Sequence, residues 1–181
     1  MGKVRFGMTM SLDGFVADRR GDVGVLYPDF ATMRQSEALK EVVASTGAVA
    51  MGRRTYDMAG GDWSDYEFGV PIFVLTHRPP ATPDPGRDFT FVTDGVESLV
   101  RRARAAAGDG DVTVVGGPDL GRQLLRAGLV DELDLDVMPV LLGGGLRLFE
   151  GIGGDPIALE RIGVLEAGQR TTLRFRVVRD R

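Results

Sequence analysis

Val49-Ala50-Met51-Gly52-Arg53-Arg54-Thr55 and Val112-Thr113-Val114-Val115-Gly116-Gly117-Pro118-Asp119-Leu120 decide the fold of this chain. Each is a short apolar run that meets glycine and then opens into helix-compatible sequence. An apolar run without alternation is the pattern of a strand covered on both faces, as in a parallel sheet. Glycine lets the backbone turn sharply and lets a ligand come close. Pro118 suits a first helical position, where its missing N–H would have no partner anyway. The opening turn of a helix carries unpaired N–H groups, so two such junctions on one sheet form a candidate cradle for two phosphates. Arg53 and Arg54 offer fork-shaped donors for the same charge, and Thr55 offers a hydroxyl. No G-x-G-x-x-G run occurs, which argues against a Rossmann unit.

Outward from these junctions the pattern alternates. Lys3 to Met10 reads as a first strand, and Phe30 to Thr46 reads as a helix ended by Gly47. Strands are expected at 70–75, 89–93 and 112–115, with helices from Thr55, over 97–107, and over 120–127 ended by Gly128. Gly60 to Gly69 is turn-rich, and Pro79 to Asp88 is a proline loop. Leu133 to Val140 alternates aspartate with apolar residues, the mark of a half-exposed strand. Residues 159–166 and 171–178 read as a closing antiparallel pair. The expected fold is α/β: three layers, with a mostly parallel central sheet, antiparallel edge strands and flanking helices. At 181 residues one domain is expected.

Composition narrows the chemistry. There is no cysteine, which excludes disulfides, thiol nucleophiles and cysteine metal sites. The only histidine is His77, so a site built on several imidazoles is excluded, and no metal is expected. A net charge of −4 argues against a nucleic-acid partner. No apolar run approaches bilayer length, and Lys3 and Arg5 sit in a strand pattern rather than a leader. A cytoplasmic location with no membrane partner is expected.

Further candidates lie at strand ends. Leu75, Thr76, His77 and Arg78 follow a buried strand, where α/β sheets place their ligands. A hydroxyl and an arginine there suit a ribose 2′-phosphate, so NADPH is favoured over NADH. His77 is read as a cofactor contact, an acid/base group or a plain loop residue. Asp13, in Ser11-Leu12-Asp13-Gly14, could position a substrate amine or a water, or cap its own turn. Glu37 could act as a proton donor on the first helix or be a solvated surface residue.

The chain resembles the dihydrofolate reductase fold, and more closely the reductase domain of the bifunctional riboflavin-biosynthesis enzyme (the RibD C-terminal domain) and its stand-alone relatives. The resemblance rests on Ser11 to Gly14, Met51 to Tyr56, Val115 to Gly117, Leu129 to Leu133, and Pro139 to Gly145 with Leu148-Phe149. It implies NADPH across the strand ends. Gly52, Arg53, Arg54 and Thr55 would meet the phosphates and the 2′-phosphate ribose. Leu75 to Arg78 would border the adenosine. Gly116, Gly117, Pro118, Asp119 and Leu120 would hold the pyrophosphate, and Ser11 to Gly14 would start a loop over the nicotinamide. Folate reductases place an acid on the first helix and an aromatic just before it. Here Asp29 precedes the helix and Glu37 lies within it. The expected activity is hydride transfer from NADPH to a small heterocycle, pterin-like or a ribosylamino-pyrimidine. The alternative is a non-catalytic NADP(H)-binding module. A homodimer is expected, with the strand at 133–140 and the late hairpin offering edges for pairing.

Overall fold

A computed structural model describes residues 2–60, 62–82 and 86–179. Gly61 of the turn-rich stretch and Pro83 and Pro85 of the proline loop lie outside the described residues. The strands are β1 (Val4–Ser11), β2 (Phe15–Ala17), β3 (Thr46–Gly52), β4 (Ile72–Leu75), β5 (Phe89–Val92), β6 (Asp111–Val115), β7 (Glu132–Met138), β8 (Leu146–Arg147), β9 (Leu159–Ala167) and β10 (Arg170–Val177). The helices are α1 (Phe30–Arg34), α2 (Glu37–Ser45), α3 (Arg53–Met58), α4 (Val96–Ala107) and α5 (Pro118–Arg126). Eight strands form one sheet in the order β5-β4-β3-β6-β1-β7-β10-β9, and β2 pairs with β8 beside it. The run from β5 to β7 is parallel, while β10 is antiparallel to both β7 and β9.

The continuous apolar strands are buried on both sides, as their sequence implies. On one face Val4, Phe6, Ala48, Ala50, Val112 and Val114 pack with Leu99 and Ala103 of α4 and Leu120 and Leu124 of α5. On the other, Val49, Met51, Ile72 and Val74 pack with Tyr56 of α3, Trp63, Phe68 and the flank of α2. Gly121 sits so close to the sheet that a Cβ there would fall 2.1 Å from the Phe6 ring, which brings α5 down onto β1. No helix among the described residues is long and apolar enough to cross a membrane.

Three expectations need correction. The single helix over 30–46 is two. Ser36 starts the second by accepting a hydrogen bond from the Leu39 N–H at 3.2 Å, so a serine inside the apolar pattern acts as an N-cap. Gly47 does not end that helix. It lies within β3, and a Cβ there would sit 2.4 Å from the Ala107 carbonyl oxygen. The strand at 133–140 is neither half-exposed nor an edge. As β7 it lies between β1 and β10, and its aspartates face arginines: Asp134 meets Arg174, and Asp136 meets Arg170. Charge pairing replaces water on that face, and alternation alone cannot tell the two apart. The open edge at this end is β9.

Candidate functional site

The two glycine junctions meet in space because β3 and β6 are neighbours. Gly52 precedes α3 in extended conformation, and Gly117 precedes α5 likewise, with Pro118 at its first position. No side chain caps either helix. Gly116 has φ +56, a left-handed conformation that favours glycine. A Cβ on Gly116 would lie 2.9 Å from the Thr55 hydroxyl oxygen, and one on Gly117 would lie 3.8 Å from it. Gly52 approaches the Leu120 Cβ to 3.9 Å by the same measure. Gly116 is therefore packed against Thr55, whereas a Cβ at 52 or 117 would meet a single ordinary contact, so the space beside those two glycines, between α3 and the start of α5, is open. The first N–H groups of α5 have no partner within the helix, and the helix dipole favours an anion there.

The basic residues divide by role. Arg53 donates from Nε to Asp57 Oδ1 at 2.8 Å and from its guanidinium to the Arg78 carbonyl, so it ties α3 to the turn after β4. Arg54 is exposed and makes no hydrogen bond or ion pair among the described residues. The Thr76 side chain is buried and closes its own turn by accepting the Arg78 N–H at 3.1 Å. Leu75 is half-buried at the end of β4, and His77 and Arg78 are exposed beyond it. Asp119 is exposed and accepts from Gln123, while Leu120 is buried in the core. All the expected cofactor residues thus gather at the carboxyl ends of β4, β3 and β6.

The end of β1 carries a latch. Ser11 donates to Asp13 Oδ1 at 2.6 Å and accepts from the Phe15 N–H at 3.0 Å. Asp13 also accepts the N–H groups of Leu142 at 3.1 Å and Gly143 at 2.8 Å. The Ser11 hydrogen bond, then these backbone donors, hold its carboxyl down to about 2. At neutral pH it is an anion joining two loops, and β2 and β8 pair next to it. Its lowered value means that its contribution to stability is complete above the ordinary carboxylate range and is lost as pH falls toward 2. Asp13→Asn should therefore bring the urea midpoint below wild type at pH 7. The two midpoints should converge as the pH is lowered from about 4 to about 2. A constant gap down to pH 2 would show that the charge is not what holds the latch. Glu37 lies elsewhere, exposed in the first turn of α2 and paired with Lys40 at 2.7 Å.

The sequence reading missed a charged cluster. Arg170, with its side chain 5% exposed, donates to Asp29 (3.1 and 2.8 Å), Asp136 (2.9 Å), the Thr9 hydroxyl (2.9 Å) and the Leu26 carbonyl (3.4 Å). Thr9 and Asp136 are partners across β1 and β7, and Thr172 adds a 2.5 Å hydrogen bond to Asp136. The Arg170 hydrogen bond holds the Asp29 carboxyl below its usual value. All five guanidinium N–H groups are engaged, so the cluster is a clamp rather than an open ligand site. Nothing local marked Arg170. Its partners lie 34 to 161 residues away in the chain.

Comparison with known proteins places this geometry. A Shewanella sp. PV-4 protein named for riboflavin biosynthesis superposes with a TM-score of 0.82 at 23% identity, covering 98% of this chain and 99% of that one. The deaminase/5-amino-6-(5-phosphoribosylamino)uracil reductase of Thermotoga maritima gives 0.71 at 18% identity, over 98% of this chain and 57% of that one. Dihydrofolate reductase from Enterococcus faecalis, solved with NADP(H), gives 0.67 at 14% identity, over 97% and 96%. These likenesses establish a dihydrofolate reductase-like fold. The family model of the RibD C-terminal domain matches residues 2–173, and the chain belongs to that family.

Proposed function

We propose that this protein binds NADPH across the ends of β3, β4 and β6 and reduces a C=N or C=O bond of a small heterocycle, pterin-like or a ribosylamino-pyrimidine. The observation that carries this reading is the contact of the two glycine turns, with Gly116 set against Thr55. Only a ligand with linked anionic groups makes use of both turns at once. When bound, the nicotinamide supplies the hydride, and the protein's part is to orient it and exclude water. The latch at Asp13 and the β2–β8 pair fix the loop beside the end of β1. A water delivers the proton in this scheme.

A second reading has its own support. Asp29 is held by Arg170, Asp13 by its latch, and Glu37 by Lys40 at the surface. None of the three carboxylates is free for a substrate, which favours a binding module without turnover. NADPH oxidation measured with pterins and ribosylamino-pyrimidines separates the two. Tight cofactor binding with no oxidation on either class would favour the module.

Arg54 tests the cofactor assignment itself. It is the guanidinium of the pair with no partner among the described residues, which supports assigning the 2′-phosphate to it. Arg54→Ala should weaken NADPH about 10- to 150-fold by calorimetry and leave NADH within about twofold, since a charge-assisted hydrogen bond contributes about 1.5–3 kcal/mol. Equal loss for both cofactors would remove Arg54 from the 2′-phosphate.

A further inference from the structure

The eight-stranded sheet ends in two strands with one side unpaired, β5 and β9. β5 has four residues, none of them exposed. β9 has nine, and every one except Gly163 is exposed. Leu159, Ile162, Val164 and Leu165 are 39–45% exposed. An unpaired strand of this length with apolar side chains is a template for another strand. β9 contains no proline to block pairing. It does contain a bulge, and the bulge decides which face of the sheet each charge takes.

Residues opposite each other in a ladder share a face, and successive residues alternate. From Gly163 onward the register with β10 is simple: Gly163 is opposite Arg174, Val164 opposite Leu173 and Glu166 opposite Thr171. Before Gly163 it shifts, so that Arg161 is opposite Phe175 and Leu159 opposite Val177. Ile162 is the extra residue. The shift turns Arg161 away from the face of Gly163 and onto the face of Val164 and Glu166. It also brings Arg161 one ladder step nearer to Val164. Arg161 and Glu166 therefore stand on one face, each two steps from Val164. Both are exposed, and neither side chain forms a hydrogen bond or ion pair among the described residues. Glu160, by contrast, is paired with Arg176 at 2.7 Å.

We infer that β9 pairs with β9 of a second copy of this chain, antiparallel about a two-fold axis at Val164, so that Arg161 of each copy meets Glu166 of the other. The strand is self-complementary about that residue. The axis sets Val164 against its own copy, Leu165 against Gly163 and Glu160 against Ala167, so no like charges are opposed. The neighbouring registers lack this match. An axis at Gly163 would set Arg161 against Val164 and Glu166 against Leu159, and one at Leu165 would set Glu166 against Val164. Opposite charges across a strand pair stabilise it, and here the pair occurs twice by symmetry. Pairing also covers the apolar side chains of β9 on both faces. Because β5 is short and covered, it offers no second edge of this kind, and the assembly closes at two copies. The inference is independent of the reductase reading.

The test is sedimentation equilibrium on the full chain and three charge variants. Wild type should be a dimer in the micromolar range. Arg161→Glu sets glutamate against the partner's Glu166 at both ends of the pairing, and Glu166→Arg sets arginine against the partner's Arg161. Each single variant should weaken the dimer at least about tenfold, since two contacts change sign at once. The double variant Arg161→Glu/Glu166→Arg restores opposite charges and should return the dimer Kd to within about threefold of wild type. The two residues of one chain are four ladder steps apart, about 13 Å at 3.3 Å per step, so the rescue reports pairing between chains. Both side chains are exposed, and the melting temperature measured at a concentration where every variant is monomeric should be the same for all four proteins. A monomeric wild type at about 100 μM, a dimer that tolerates the single variants, a double variant no better than the singles, or an assembly larger than two copies would each overturn the inference.

Discussion

Arg170→Leu is expected to lower the free energy of unfolding by about 3–5 kcal/mol at pH 7, the range for removing one partner of a buried ion pair. The expectation follows from what the guanidinium leaves behind. Asp29 and Asp136 are only 31% and 26% exposed at their side chains, and no other cation is bonded to either among the described residues. Their carboxylates would face each other's field without a counter-charge, and the Thr9 hydroxyl and Leu26 carbonyl would lose a donor. Leucine fills much of the volume, so the loss is electrostatic rather than a cavity effect. The pH dependence separates these causes. In wild type the depressed Asp29 value contributes stability above the ordinary carboxylate range, and that contribution is lost as pH falls below it. In the variant the depression is gone, so the deficit should be largest near neutrality and shrink toward pH 3. A deficit under about 1 kcal/mol at pH 7, or one independent of pH, would reject the clamp. Adding Asp29→Asn and Asp136→Asn to the leucine variant should recover part of the loss, because neutral amides need no counter-charge.

What could be read from the chain, and what could not, divides by distance. The junctions at Gly52 and Gly116 were legible because each is a local event: an apolar strand, a glycine and a helix start within nine residues. The helix stop at Gly128 was legible for the same reason. Its φ of +64 and the Leu129 N–H to Leu124 carbonyl bond form the usual glycine ending. The break at Ser36 was present in the sequence as Ser-Glu before an apolar run, but the apolar period ran through it and masked it. Asp134 and Asp136 were misread because alternation reports only which residues are polar. Whether water or arginine meets them depends on β10, which arrives from the far end of the chain. Arg170 was invisible for that reason. Local signals located the two glycine turns; the clamp at Arg170 is built from long-range contacts.

Gly117→Val should abolish useful NADPH binding, raising its Kd roughly a hundredfold, about 2.7 kcal/mol, while leaving the fold within about 1 kcal/mol of wild type. The argument is the contrast with its neighbour. Gly117 has an ordinary φ of −72, and its hypothetical Cβ makes an ordinary contact at 3.8 Å, so the backbone accepts a side chain. Gly116 has φ +56 and would place a Cβ 2.9 Å from the Thr55 hydroxyl, so Gly116→Ala should itself cost about 1–2 kcal/mol of stability. A valine at 117 therefore fills the hollow without breaking the turn, and only a ligand in that hollow detects it. Melting temperature and NADPH calorimetry on both variants read the two effects separately. If Gly117→Val bound NADPH within about threefold of wild type, the hollow between α3 and α5 would not hold the pyrophosphate, however well the rest of the fold matched. If it lost both stability and binding, the glycine would serve the turn rather than the ligand. The expected result, binding lost and fold kept, is the one that only a phosphate-sized occupant between these helices produces.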